Sequence, residues 1–368
     1  MKTTINLLFV FVACMVSACT DHSSILKHDL PLYSFKINTE NVSELNLQNI
    51  ASLDRIIPLE TKDECLITSI GKVFITDSSL VVWDKGTDNI FIFDNAGRYQ
   101  RPIGRKGPSP EEYTNIGDVQ MKNDTVQILD VATRRMINYD ISGKFISSIQ
   151  SDYYLYTFYE VPEGYWGINV YQNKDHYNLI LLDKKLRKIK RGCFVSEQIL
   201  PLRPTNNFSK NEKSDELIFH YPYNDTIYTI RKDSIIPFIA LDFGENEKPA
   251  EINTEMYKGR IHNVHLYGDH LFFSFSHALG NRMSYEGYNG YISLKSLETT
   301  IYTFHIAHDE RTIVTPLPEL VNISKGKLIY QIVPGEFPEE VFNRLKEASW
   351  GTVNGESNPI LVLYNLKK

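Results

Sequence analysis

The sequence predicts an all-β fold: a six-bladed β-propeller of four-stranded antiparallel blades, the ring closed by an N-terminal strand pairing with the last blade. The first observation is an internal repeat. A shift of 46 positions carries Val73 onto Val119, Leu80 onto Val126, Val82 onto Ile128 and Asp84 onto Asp130. The same shift carries Phe93-Asp94 onto Tyr139-Asp140, Gly97 onto Gly143, Tyr99 onto Phe145 and Ile103 onto Ile149. The second observation is local chemistry: short β-branched and aromatic runs, each bounded by turn residues, favour antiparallel meanders over helices. The third is length. Six units of about 45 residues fill most of the chain as one domain.

Residues 1–18 read as a targeting segment, outside the fold. Lys2 supplies the positive charge, and the apolar run Leu7 to Val16 is too short for a stable membrane span. It leads into Val16-Ser17-Ala18-Cys19, small residues before a thiol, which matches a bacterial lipobox and makes Cys19 the candidate lipidation site. Several acyl chains, at about 0.8 kcal/mol per buried methylene, would hold the protein on a membrane. Residues 19–32 are polar and unpatterned, a lipidated tether. The propeller domain then covers residues 33–368. Arg55-Ile56-Ile57-Pro58-Leu59 reads as the closing outer strand, which removes exposed sheet edges.

The first blade follows. Lys72 to Thr76, Leu80 to Asp84 and Asn89 to Phe93 are its strands, and Asp94-Asn95-Ala96-Gly97 turns the chain into Arg98-Tyr99-Gln100-Arg101. Asp opens such a turn by bonding to the backbone ahead, and Gly supplies a left-handed conformation. Asp140-Ile141-Ser142-Gly143 repeats that chemistry in the second blade. The third blade runs through Tyr165 to Val170 and Asn178 to Asp183. The fourth comprises Leu217 to His220, Thr226 to Ile230 and Pro237 to Gly244. The fifth comprises His262 to Leu266, Leu271 to Ser276 and Gly290 to Leu294. The sixth starts near Leu320, continues with Lys327 to Ile332 and returns at Ile360 to Leu366. Thr254 to Lys258 reads as a short helix, and Phe337, Val341, Phe342 and Leu345 fit a helical face inserted in blade six.

The connector Ile103-Gly104-Arg105-Lys106-Gly107-Pro108-Ser109-Pro110-Glu111-Glu112-Tyr113 resembles the Gly-rich link between blades of NHL-type propellers. With Ile57 to Thr61, Pro222 to Tyr228 and Asn358 to Tyr364, it makes the chain similar to the six-bladed β-propeller lipoproteins common in Bacteroidetes. That resemblance spans most of the chain and implies the fold and an envelope location. It carries no single activity. The connector departs from the family pattern at Ser109 and Pro110, where glycines are expected nearby.

The formal net charge is −6, which argues against nucleic acid, whose binding needs clustered Lys and Arg. No HExxH, GxSxG, P-loop or paired CxxC occurs. Ser69-Ile70-Gly71-Lys72 has the Ser-x-x-Lys spacing of some acyl-transfer enzymes, but it enters a strand rather than a helix. His262 and His265 are three apart and so face opposite sides of a strand, which does not build one metal site; no metal or other cofactor is expected. Cys65 and Cys193 are the thiols left after the leader is removed and Cys19 is lipidated, and an envelope location permits a disulfide that sequence alone does not decide.

Candidate ligand-binding residues come from three places. Arg105, Lys106, Glu112 and Tyr113 lie on the connector, either facing a ligand at a channel mouth or bracing the loop. Lys72, Asp118 and His262 lie near the ends of inner strands. Aromatic residues make up 12% of the chain, with 22 tyrosines, and Tyr165 and Trp166 close the densest cluster, either stacking on a ligand or filling interblade space. Two functions remain open. One is a non-catalytic binding or scaffold lipoprotein of the outer membrane, with a glycan, peptide or envelope protein as partner. The other is an extracytoplasmic hydrolase or lyase with its site at the central channel.

Overall fold

The computed structural model describes residues 31–168, 179–191, 206–221, 224–231, 234–244, 259–279, 284–308, 311–315, 320–336 and 353–367. Cys19, Cys193, the helix expected at 254–258 and the helical face expected of Phe337, Val341, Phe342 and Leu345 lie outside those residues. The described residues form six sheets, one per blade.

Blade one comprises β4 (Ile70–Ile75), β5 (Ser79–Asp84), β6 (Asn89–Asp94) and β7 (Tyr99–Pro102), from channel to rim. Blade two comprises β8 (Ile116–Lys122), β9 (Thr125–Asp130), β10 (Arg135–Asp140) and β11 (Phe145–Gln150). Blade three is β12 (Thr157–Val161), β13 (Gly164–Ile168), β14 (Leu179–Leu182) and β15 (Lys188–Arg191). Blade four is β16 (Phe208–Lys210), β17 (Leu217–His220), β18 (Thr226–Arg231) and β19 (Ser234–Asp242). Blade five is β20 (Gly259–Tyr267), β21 (His270–Leu279), β22 (Ser284–Ser293) and β23 (Glu298–His308), with β24 (Arg311–Thr315) folded back on β23. Blade six is β25 (Leu320–Ser324), β26 (Lys327–Ile332), β27 (Ile360–Leu366) and β3 (Ala51–Pro58). The expected closure is therefore present: β3 runs antiparallel to β27, pairing Pro58 with Ile360 and Ala51 with Leu366.

The lead-in to β3 does more than the sequence suggested. β1 (Tyr33–Lys36) adds parallel to β19 at the rim of blade four, and β2 (Ser43–Leu45) adds parallel to β23 at the rim of blade five. The N-terminal segment thus crosses three consecutive blades before the first one begins.

Both faces of each blade are covered by a neighbour, so the strands read as near-continuous apolar runs. Six hydrophobic clusters fill the six interblade spaces. Trp83 and Ile90 of blade one meet Val119 and Ile128 of blade two, for example. Two buried carboxylates fix the repeat. Asp84 accepts from Ser69 N at 2.9 Å, Gly86 N at 3.1 Å and Thr87 Oγ1 at 2.6 Å. Asp130, its counterpart, accepts from Thr114 N at 3.0 Å, Ala132 N at 3.1 Å and Thr133 Oγ1 at 2.7 Å. Each ties the chain entering its inner strand to the middle turn of the same blade. The rim turns behave as their composition requires. Asp94 and Asp140 accept from the backbone two and four residues on, and Gly97 and Gly143 take φ of +82° and +88°.

Candidate functional site

Four inner strands share a β-bulge near their start. The register shifts between Ile70 and Lys72, Ile116 and Asp118, Ile261 and Asn263, and Leu320 and Asn322. A bulge breaks the alternation of side chains and re-aims the next residue. The residue in the bulge is Gly71, Gly117, His262 or Val321, and the residue after it is Lys72, Asp118, Asn263 or Asn322. All four of the latter are buried polar groups near the axis.

Three of these groups stitch their inner strand to the next blade, while the Asn263 amide donates to Ser274 Oγ of its own blade at 3.3 Å. Asn322 of blade six accepts from Val73 N at 2.9 Å and donates to Val73 O at 2.9 Å, in blade one. Lys72 of blade one donates to Val119 O of blade two at 3.2 Å and pairs with Asp118 at 2.5 Å. Asp118 in turn accepts from Phe158 N at 3.2 Å and Thr157 Oγ1 at 2.6 Å, in blade three. One rule covers the three steps: the side chain after the bulge reaches the backbone of the neighbouring inner strand. Asn206 adds a link across the axis by donating to Val321 O at 3.1 Å.

Beyond this ring lies an axial cavity of about 450 Å³, to which all six blades contribute. Its wall includes Lys72, Phe74, Gln120, Tyr159, Phe208 and His265, and its rim includes Asp124, Lys210, Glu212 and Lys325. The rim residues sit at the turns that leave the inner strands. The connector enters at the other end, seven residues of β8 away, roughly 20 Å along the strand. His265 is 5% exposed, and its Nε2 has no hydrogen-bond partner. Burial first, and then the Lys72 ammonium and His220, hold its pKa down at about 3, so the imidazole is neutral. His220, on β17, is fully buried and also held at about 3, by burial and then by His262.

The connector residues are placed differently. Arg105 pairs with Glu112 at 2.5 Å, and Glu112 also accepts from Ser109 N at 3.0 Å, so the loop is closed on itself. Tyr113 is 1% exposed and packs in the core between blades one and two, where burial drives its phenol pKa up. Lys106 is exposed and bridges to Tyr113 through the backbone. Arg105 and Glu112 do border a second cavity, of about 640 Å³, between the outer parts of blades one and two. This is off the axis, so the connector does not line the axial cavity. Tyr165 and Trp166 are core residues: successive positions on β13 point to opposite faces, and one ring fills the space toward blade two, the other that toward blade four. Neither lines the axial cavity. His262, in the bulge, contacts Ser276 instead of joining Lys72 and Asp118. Among the described residues no three His, Cys, Asp or Glu side chains stand together as a metal site. Cys65 is a buried free thiol that donates to Glu60 O at 3.3 Å.

Sequence reading thus singled out Lys72 and Asp118 but not Thr157, Asn206 or Asn322, and it weighed His265 only as a metal ligand. The signal was present. Lys72 and Asp118 are one repeat apart, so they occupy the same place on adjacent inner strands.

The arrangement defines a six-bladed β-propeller with a polar axial cavity. The chain belongs to the DUF4934 family, a domain of unknown function, whose model matches residues 32–365. Among solved structures, a candidate exported protein of Bacteroides fragilis NCTC 9343 is similar with a TM-score of 0.66 at 17% identity, covering 91% of this chain and 99% of its own. A member of the DUF4221 family from Bacteroides vulgatus ATCC 8482 gives a TM-score of 0.54 at 11% identity, covering 86% and 98%. At such identities the likeness concerns the fold. None of the curated proteins matches the sequence.

Proposed function

We propose that the protein is a non-catalytic binding propeller, lipid-anchored through Cys19 outside the cytoplasm, whose ligand enters the axial cavity at the turn end. One observation carries the binding role. The one charge deep in the cavity wall, Lys72, is spent on the buried Asp118 behind it and on the neighbouring backbone, so neither is a free acid, base or nucleophile. Inside the charged rim, what remains toward the cavity is amides, hydroxyls, an uncharged imidazole and aromatic rings, which suit recognition. The lipobox and the exported B. fragilis neighbour support the location.

The test is thermal melting of the purified full chain in detergent against neutral and acidic oligosaccharides, peptides and divalent metals. A ligand that binds only the folded state raises the melting temperature by mass action. The expected result is a shift with a glycan or peptide that is recovered intact. Breakdown of that ligand by the protein would overturn the reading in favour of a hydrolase or lyase. In the same preparations, Cys19→Ala should move the protein from the membrane to the soluble fraction; retention on the membrane would refute the anchor.

A further inference from the structure

Resting on the reading of the axial cavity as a binding site, we propose that its ligand is the end of a neutral saccharide, with a sugar hydroxyl on His265 Nε2. Four features of the wall select that chemistry.

The first is the unpartnered imidazole nitrogen. A buried polar atom without a partner costs about 1–3 kcal/mol, and this one belongs to a residue that lines a cavity with room for a ligand. A hydroxyl suits a neutral imidazole in either tautomer, because it both donates and accepts. The second is the state of the other donors. Gln120 Nε2 is bound to Phe158 O at 3.0 Å, Asn206 Nδ2 to Val321 O at 3.1 Å and Asn322 Nδ2 to Val73 O at 2.9 Å. Asn322 Oδ1 is also taken, by Val73 N, which leaves the amide oxygens of Gln120 and Asn206 as acceptors for a ligand rich in O–H donors.

The third feature is charge. Lys72 is neutralised by Asp118. At the rim, Lys210 pairs with Asp215 at 2.6 Å and Lys325 with Asp77 at 2.6 Å, and Glu212 accepts from Gly326 N at 2.6 Å. The rim cations are thus taken and Glu212 and Asp124 keep their negative charge, so an anionic ligand would give up hydration without gaining a counter-charge. The fourth is the aromatic wall. Tyr159 and Phe208 stand 6.2 Å apart, inclined at 45°, with Phe74 also on the lining. Such rings receive the C–H faces of a pyranose while its hydroxyls meet the polar wall. The volume falls within the roughly 300–1,000 Å³ of small-ligand sites.

The experiment is calorimetric titration of the full chain with neutral malto-, xylo- and manno-oligosaccharides, with oligogalacturonate and with tetraalanine. His265→Ala and Tyr159→Ala are titrated beside the wild type, after their unliganded melting curves are recorded. At least one neutral oligosaccharide should bind, oligogalacturonate should bind no tighter, and each variant should weaken binding tenfold or more. Should His265→Ala fail to fold, Tyr159→Ala decides alone. Binding of only the acidic sugar or the peptide would overturn the saccharide assignment and leave the binding role standing. Neutral-sugar binding untouched by either variant would overturn the cavity as its site. No binding by any of these probes, together with no melting shift across the wider panel, would overturn the binding role as well.

Discussion

Asp118 shows what a charge needs in order to be buried. Its two oxygens receive Lys72 Nζ at 2.5 Å, Val119 N at 2.7 Å, Thr157 Oγ1 at 2.6 Å, Phe158 N at 3.2 Å and Gln120 Nε2 at 3.4 Å. Desolvation of such a pair is offset only when the remaining lone pairs are also satisfied, as here. His220 and His265 are the opposite case, since both are buried without charge. Their pKa is about 3 in the folded chain against 6.5 when unfolded. The unfolded state therefore takes up protons between those values and the folded state does not, so stability is full above pH 6.5 and declines as pH falls below it. Between pH 7 and pH 5 each histidine should remove about 2 kcal/mol. Urea unfolding at the two pH values should show this loss in the wild type and a smaller one in His220→Phe. Equal losses would mean that His220 is protonated in the folded protein.

At the scale of the element, the bulge is what turns a strand into a wall of the channel. Gly71 is required there because a Cβ would come within 2.6 Å of the buried Trp83 ring. Gly71→Ala should cost about 1–3 kcal/mol through overpacking, read as a lower urea midpoint at unchanged slope. The blades themselves were legible from the sequence, since turn chemistry and strand composition are local. The repeat was clearest where Asp84 and Asp130 hold the same bonds. In blade three Leu186 takes the left-handed place of Gly97 and Gly143, at φ 58°, while its side chain is buried, so the pattern blurred there. The bulges left no mark that single residues reveal. They are properties of register, and register depends on the partner strand. For the same reason the role of Asn322 was hidden: its amide bonds to Val73, 249 positions away in sequence.

At the scale of the whole molecule, closure by residues 55–59 could be read because a ring needs an outer partner for its last blade. The strands β1 and β2 could not, since four and three residues carry no usable periodicity. They nevertheless cover the outer edges of blades four and five, as β3 covers that of blade six. Blades one to three end on β7, β11 and β15 with no added strand among the described residues. A protein held from its N-terminus and pulled by its cargo would meet that asymmetry as a mechanical sequence. Tension reaches the four pairs of β1 first, then the three of β2, and only then the long seam of β3 on β27. Optical-tweezer extension from the two chain ends should show two small slips before the large rupture that opens the ring. A single rupture would mean that the strap yields as one piece. In mechanical terms the strap is a graded fuse, in which short early slips dissipate load before the seam that keeps the circle closed is strained.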